Sequence, residues 1–117
     1  MKKQGGGMDE ERVGAWGYVV VWEFRPKPGA QKRFEQMYGP RGRWAEFFGC
    51  GQGHISTELN LDLKDGSRYL TLDFWVSEEH YERFREAYAA EYEAIDRECE
   101  GLTDLEREIG RFARARG

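Results

Sequence analysis

The 117-residue chain is predicted to fold as one α+β domain, an antiparallel sheet with helices on one face. Three observations carry that expectation. Residues 54–61 (HISTELNL) and 68–76 (RYLTLDFWV) alternate in polarity on either side of an Asp65-Gly66 turn, and so read as a hairpin. An earlier extended stretch, Trp16 to Phe24, passes into a helical pattern, and a long amphipathic segment follows the hairpin. The order is strand, helix, strand, strand, helix, with one last element to assign, and the length leaves no room for a second core.

The first strand is stopped by RPKPGA, where Pro26 and Pro28 remove backbone donors and fix φ. From Tyr18 to Phe24 its even positions read Tyr, Val, Trp, Phe and its odd ones Val, Val, Glu, so neither face suits water. Ala30, Phe34, Met37 and Tyr38 then recur at helical spacing until GPRG at 39–42. Trp44, Phe47 and Phe48 make a second short apolar stripe before GCGQG at 49–53. A phosphate loop needs a strand before its glycines and a helix after them, and here the order is reversed, so these glycines read as a flexible connection.

In the second strand Ile55, Thr57, Leu59 and Leu61 share one face and His54, Ser56, Glu58 and Asn60 the other. In the third, Leu70, Leu72, Phe74 and Val76 oppose Tyr69, Thr71, Asp73 and Trp75. Ser77 is an N-cap, Glu78 and Glu79 suit the positive end of a helix dipole, and Tyr81, Phe84, Tyr88, Tyr92, Ile95, Cys99 and Leu102 recur at helical spacing. They predict a single helix of about 23 residues. Thr103 and Glu106 match a capping box, and Leu105, Ile109 and Phe112 keep helical spacing, yet Gly110 between Ile109 and Phe112 also fits a short edge strand. With a strand there, the pattern is βαββαβ and two helices cover one face of a four-stranded sheet. The first strand is apolar on the other face too, and Tyr69 and Trp75 are assigned to that face; the plainest cover for it is a second copy of the chain.

Composition narrows the function. Hydrophobic residues are 39% and charged residues 34%, with four Trp, six Tyr and seven Phe, which is globular with an aromatic surplus. Residues 59–117 hold fifteen Asp/Glu against nine Lys/Arg, an acidic balance that repels nucleic-acid phosphates and anionic lipid. No stretch approaches a membrane span and no secretory leader is evident. Cys50 and Cys99 lie far apart and read as reduced thiols, so a cytoplasmic location is expected. Residues 1–12 read as a flexible tail ahead of a domain at 13–117.

Three segments then resemble a known family: VWEFRPKPGAQKRFEQMYG, in which a strand runs through Lys27-Pro28-Gly29 into a helix; STELNLDLKDGSRYLTLDFWVS; and SEEHYERFREA, which opens the long helix. Their order over residues 16–114 is similar to that of the antibiotic biosynthesis monooxygenase (ABM) domains. The resemblance implies a ferredoxin-like βαββαβ sheet, two copies pairing into a dimeric α/β barrel, and a final strand near Glu108 to Ala113. It implies several activities. Some relatives degrade haem, but the Asn, Trp and His that mark them correspond here to Trp22, Phe84 and Ala94. His54 and His80 remain, and both read as solvated or structural histidines. Other relatives oxygenate phenols or quinols without metal or flavin, using the substrate's own anion to react with oxygen. Of their Asn and Trp four residues apart, Trp75 matches and Thr71 replaces the Asn.

That chemistry needs an apolar cavity the size of an aromatic ring system, a group to take a phenolic proton, and little water. Trp22, Trp44, Thr71, Trp75, Tyr88 and Tyr92 are the candidate substrate-binding residues, and His54 or Asp73 the candidate proton acceptor. Against this, aromatic residues at strand and helix spacing commonly form core, and Asp73 could instead pair with Arg68 or Arg43 across a dimer interface. HExxH, clustered Cys/His, nucleophile-elbow and P-loop patterns are missing, so neither metal nor cofactor is expected. Two functions stand: a cofactor-independent monooxygenase acting on a small phenol or quinol, or a non-catalytic, small-ligand-binding or stress-associated homodimer.

Overall fold

The computed structural model describes residues 15–115; the tail expected at 1–12 lies outside them. Four strands form one sheet: β1 (Tyr18–Pro26), β2 (His54–Leu61), β3 (Tyr69–Trp75) and β4 (Thr103–Ala113), in the order β2-β3-β1-β4 with every neighbour antiparallel. Between them run α1 (Gln31–Tyr38), α2 (Arg43–Phe48), α3 (Glu78–Ala87) and α4 (Ala89–Glu98). This is the ferredoxin-like α+β arrangement, with one extra short helix.

Strand pairing decides the faces. Tyr18 lies beside Trp75, Val20 beside Asp73, Trp22 beside Thr71 and Phe24 beside Tyr69, so these eight side chains share the face that the helices cover. The assignment of Tyr69 and Trp75 to the open face is therefore corrected: Leu70, Leu72, Phe74 and Val76 lie there with Val19, Val21 and Glu23. An aromatic-rich β3 carries its larger rings on the core side, where Trp75 is fully buried against Phe48, Tyr81 and Phe84 at centroid distances of 5.3–5.7 Å. Such ring pairs each add about 0.5–1.5 kcal/mol beyond area burial.

A second correction concerns β2. His54 pairs with Trp75 and Ser56 with Phe74, and Ile55 between them is skipped. This bulge shifts the parity, so His54 falls on the helix-facing side with Thr57, not opposite it. Its ring meets Trp75 at 5.2 Å and Phe48 at 5.7 Å.

The single long helix is two. Tyr88 leaves helical geometry (φ −117°, ψ 30°), although its N–H still bonds Phe84 O and its carbonyl still accepts from Tyr92 N. No Gly or Pro stands there to announce the break. Packing accounts for it: Phe47 of α2 touches Phe84, Tyr88 and Tyr92, and the bend wraps α3 and α4 around that ring. Ser77 caps α3 by accepting from His80 N, and His80 Nδ1 lies 2.7 Å from the same hydroxyl, so His80 belongs to the cap.

The last element is a strand longer than the resemblance implied, beginning at Thr103. Gly101 (φ +88°) ends α4, and the chain runs back along β1. Ile109 is skipped between Glu108 opposite Trp22 and Gly110 opposite Val21. The bulge explains the helical look of Leu105, Ile109 and Phe112, whose spacing of four and three is a period of two interrupted once.

The glycines of residues 49–53 serve close packing. A Cβ on Gly51 would stand 2.2 Å from the Phe84 ring, and Gly53 combines φ +97° with a Cβ site 2.6 Å from His80. The loop thus lies directly on α3, with no phosphate-binding geometry required.

Candidate functional site

A cavity of about 390 Å³ lies between the sheet and the helices. Trp22 and Phe24 of β1, Tyr38 of α1, Trp44 and Phe48 of α2, and Tyr92 of α4 supply aromatic walls. Thr57, Thr71 and Asp73 are the polar groups of the β2 and β3 wall. At the rim stand Arg85, Asp96, Glu106, Glu108 and Arg111, four of them exposed and Arg85 half-buried. A greasy interior with few polar groups and a charged entrance is a common form of small-molecule site.

Asp73 is 8% exposed and is the one carboxylate on the β2 and β3 wall. Thr57 Oγ1 donates to Asp73 Oδ1 at 2.6 Å, and His54 Nε2 lies 3.0 Å from the same Oγ1. Loss of hydration pushes the Asp73 carboxyl up to about 7, with the Thr57 hydrogen bond acting against that rise. A carboxyl poised near neutrality in an apolar hollow is suited to accept a proton from a weak acid. Asp73 faces the interior, while Arg68 pairs with Glu23 and Asp62, and Arg43 with Glu98. The alternative pairing of Asp73 with either arginine across the open face is thereby corrected.

Burial also holds the Tyr92 phenol well above its ordinary value, so it stays protonated, and Tyr38 likewise. The Arg85 guanidinium lies 3.8 Å from the centre of the Tyr92 ring and donates to Tyr81 Oη at 2.8 Å. This cation-π contact and hydrogen bond fix one side of the entrance.

Of the residues named from sequence, Trp22, Trp44, Thr71, Asp73 and Tyr92 converge on the cavity. Trp75 sits behind the wall, fully buried. Tyr88 packs on Phe84 and Phe47 outside the lining, and His54 is outside it too, hydrogen-bonded to the lining residue Thr57. Tyr38, Thr57 and Arg85 were missed. The bulge at Ile55 is what brings His54 and Thr57 to one face, and nothing in the residues of β2 announces it. Among the described residues no group of three or more His, Cys, Asp or Glu is arranged to hold a metal ion, and no helix is long and apolar enough to cross a membrane.

No curated protein matches the sequence. Solved structures do match the fold. A monooxygenase from the ActVA-Orf6 gene of Streptomyces coelicolor, in complex with the ligand nanaomycin D, superimposes with a TM-score of 0.65 at 20% identity, covering 89% of this chain and 92% of that one. SnoaB, a cofactor-independent oxygenase from Streptomyces nogalater, gives 0.64 at 19% identity over 88% and 97%. A conserved protein from Methanosarcina mazei gives 0.64 at 15% over 86% and 95%. The family model for antibiotic biosynthesis monooxygenase matches residues 17–95, more than half of the chain, and the chain accordingly belongs to that family.

Proposed function

We propose that the protein binds a small phenol or quinol in the cavity between sheet and helices and oxygenates it without a cofactor. The observation that carries this reading is Asp73: a buried carboxyl, pushed up to about 7, in the wall of an aromatic cavity. A phenol gives its proton to Asp73 and becomes an anion rich enough in electrons to reduce oxygen itself. A ring C–H ortho or para to the deprotonated oxygen becomes a carbonyl as the phenolate C–O becomes a second one; one oxygen atom stays in the product, the other leaves as water with the ring hydrogen and the proton held by Asp73, and all four electrons come from the substrate. Trp22, Trp44 and Tyr92 hold the ring plane, Thr71 is a polar contact beside it, and Trp75 supports the wall from behind. Oxygen uptake with a panel of phenols and quinols tests the proposal. Uptake by the wild type that is lost in Asp73→Asn supports it; tight binding of the same compounds with no uptake assigns the cavity to ligand binding alone.

We further infer that two copies pair through the open sheet face. Val76, Ile109 and Phe112 expose 40–48% of their surface, and Val19, Val21, Leu70, Leu72 and Phe74 make the face apolar around Glu23. A stripe of that kind is unusual on a monomer.

A further inference from the structure

Thr57 borders two hollows. It lines the aromatic cavity, and it lines a cleft at the outer edge of β2 whose other walls include Pro40, Arg41, Glu46 and His54. Among the described residues no other lines both. Asp73 lies on the cavity side of its hydroxyl and the half-buried His54 on the cleft side, at 2.6 Å and 3.0 Å.

A threonine hydroxyl donates one hydrogen bond and accepts others, and either direction can be satisfied here with no heavy atom moving. With Asp73 ionised, Oγ1–H donates to Oδ1 and accepts from a protonated His54 Nε2. With Asp73 protonated, Oγ1 accepts from the carboxyl and donates to an unprotonated Nε2. We propose that Thr57 is a proton bridge through which a proton taken up by Asp73 leaves the cavity to His54 and the outer cleft. The step balances: the carboxyl O–H breaks as a new O–H forms on Oγ1, the original Oγ1–H breaks as N–H forms on Nε2, and the hydroxyl is unchanged. His54 then carries the positive charge and releases the proton to water in the cleft. The inference deepens the proposed reaction, in which Asp73 takes up the phenolic proton before oxygen reacts and the water formed afterwards needs a proton back, so that the same bridge run in reverse returns it; it rests on that reading for its purpose, though not for its geometry.

Charged and titratable groups face both ends of the bridge. On the cavity side Asp73 faces Tyr92, Tyr81 and Arg85 from the helices, with Asp96 at the rim. From β4 come Glu106, Glu108 and Arg111. Partial desolvation at the rim also raises the Glu106 carboxyl, so the proton is followed at Asp73 itself. Around His54 stand the Phe48 and Trp75 rings, with Arg41 and Glu46 in the cleft.

The test therefore follows the Asp73 side-chain carboxyl carbon by NMR in the full chain near its midpoint, and reads from line broadening the rate at which its proton exchanges with solvent. Thr57→Val, which keeps the shape and removes the hydroxyl, is expected to slow exchange at least about tenfold. Thr57→Ser restores it. His54→Ala slows it as well, and imidazole added to that variant speeds it again. Unchanged exchange in a folded Thr57→Val overturns the bridge, as does failure of Ser to restore it. The oxygenase reading fails separately: a wild type that takes up no oxygen with any phenol or quinol leaves these exchange rates standing.

Discussion

Replacing Asp73 by Asn should raise stability and abolish turnover together. The carboxyl is pushed from an ordinary 3.8 up to about 7 by burial. Between those values the native state holds a proton that the unfolded chain has released, so wild-type stability falls as pH rises across the window. The gap is about three units at about 1.36 kcal/mol each, a cost of about 4 kcal/mol once the pH exceeds 8. Asparagine has nearly the same shape and no charge, but its amide hydrogens need partners and cancel part of the gain. The variant is therefore expected to exceed wild type by about 2–3 kcal/mol at alkaline pH and to fall about 1–2 kcal/mol below it near pH 3.5, where only the cost of the amide remains. Urea unfolding at the two pH values, with an unchanged slope against denaturant, measures the difference. Equal destabilisation at both values would refute the reasoning, for it would mean that the folded state favours the ionised carboxylate and that Asp73 is no poised base. Loss of oxygen uptake in the same stabilised variant would tie the buried charge to function.

Three further outcomes are expected. Gly51→Ala drives a methyl into the buried Phe84 ring and should cost about 1–3 kcal/mol in denaturant unfolding, while Gly66→Ala, whose Cβ site is open, should cost less. Phe112→Glu places a charge on the exposed apolar sheet face and should reduce the mass measured by light scattering from dimer to monomer with an unchanged far-ultraviolet spectrum; a wild type already monomeric would defeat the pairing inference. Hydrogen bonds from Arg68 and then Arg107 hold the Glu23 carboxyl below the ordinary 4.5, so its stabilisation is present above that value and is lost as pH falls through the depressed one. The stability gap between wild type and Glu23→Gln should accordingly close on acidification.

Much of the fold is legible in the sequence because local and global signals agree. The Asp65-Gly66 turn, the Ser77 cap and the prolines at 26 and 28, at and just beyond the end of β1, each mark a boundary that the structure keeps. The errors have physical causes. Skipping Ile55 or Ile109 costs one residue of register, and a period of two cannot survive that shift, so His54 falls on the wrong face and the periodicity of β4 reads as helix as readily as strand. Tyr88 breaks a helix through tertiary packing on Phe47, which no propensity records. In the site, the aromatic walls could be anticipated because large rings stand out by type. Thr57 could not, since a threonine in a strand is ordinary until its two neighbours in space are known. Arg85 looks like any solvated helical charge until Tyr92 is seen beneath it.

The bulge at Ile55 sits in a strand with a neighbour on one side only. An extra residue in a central strand would have to be absorbed by two ladders, whereas here only the pairing with β3 gives way. The rim of the sheet is thus a place where inserting or deleting one residue changes which side an ionisable ring serves, while the core stays threaded as before. A family built on this frame has an inexpensive route to install a proton exit or dismantle it: lengthen or shorten one edge strand by a single residue, and leave the cavity alone.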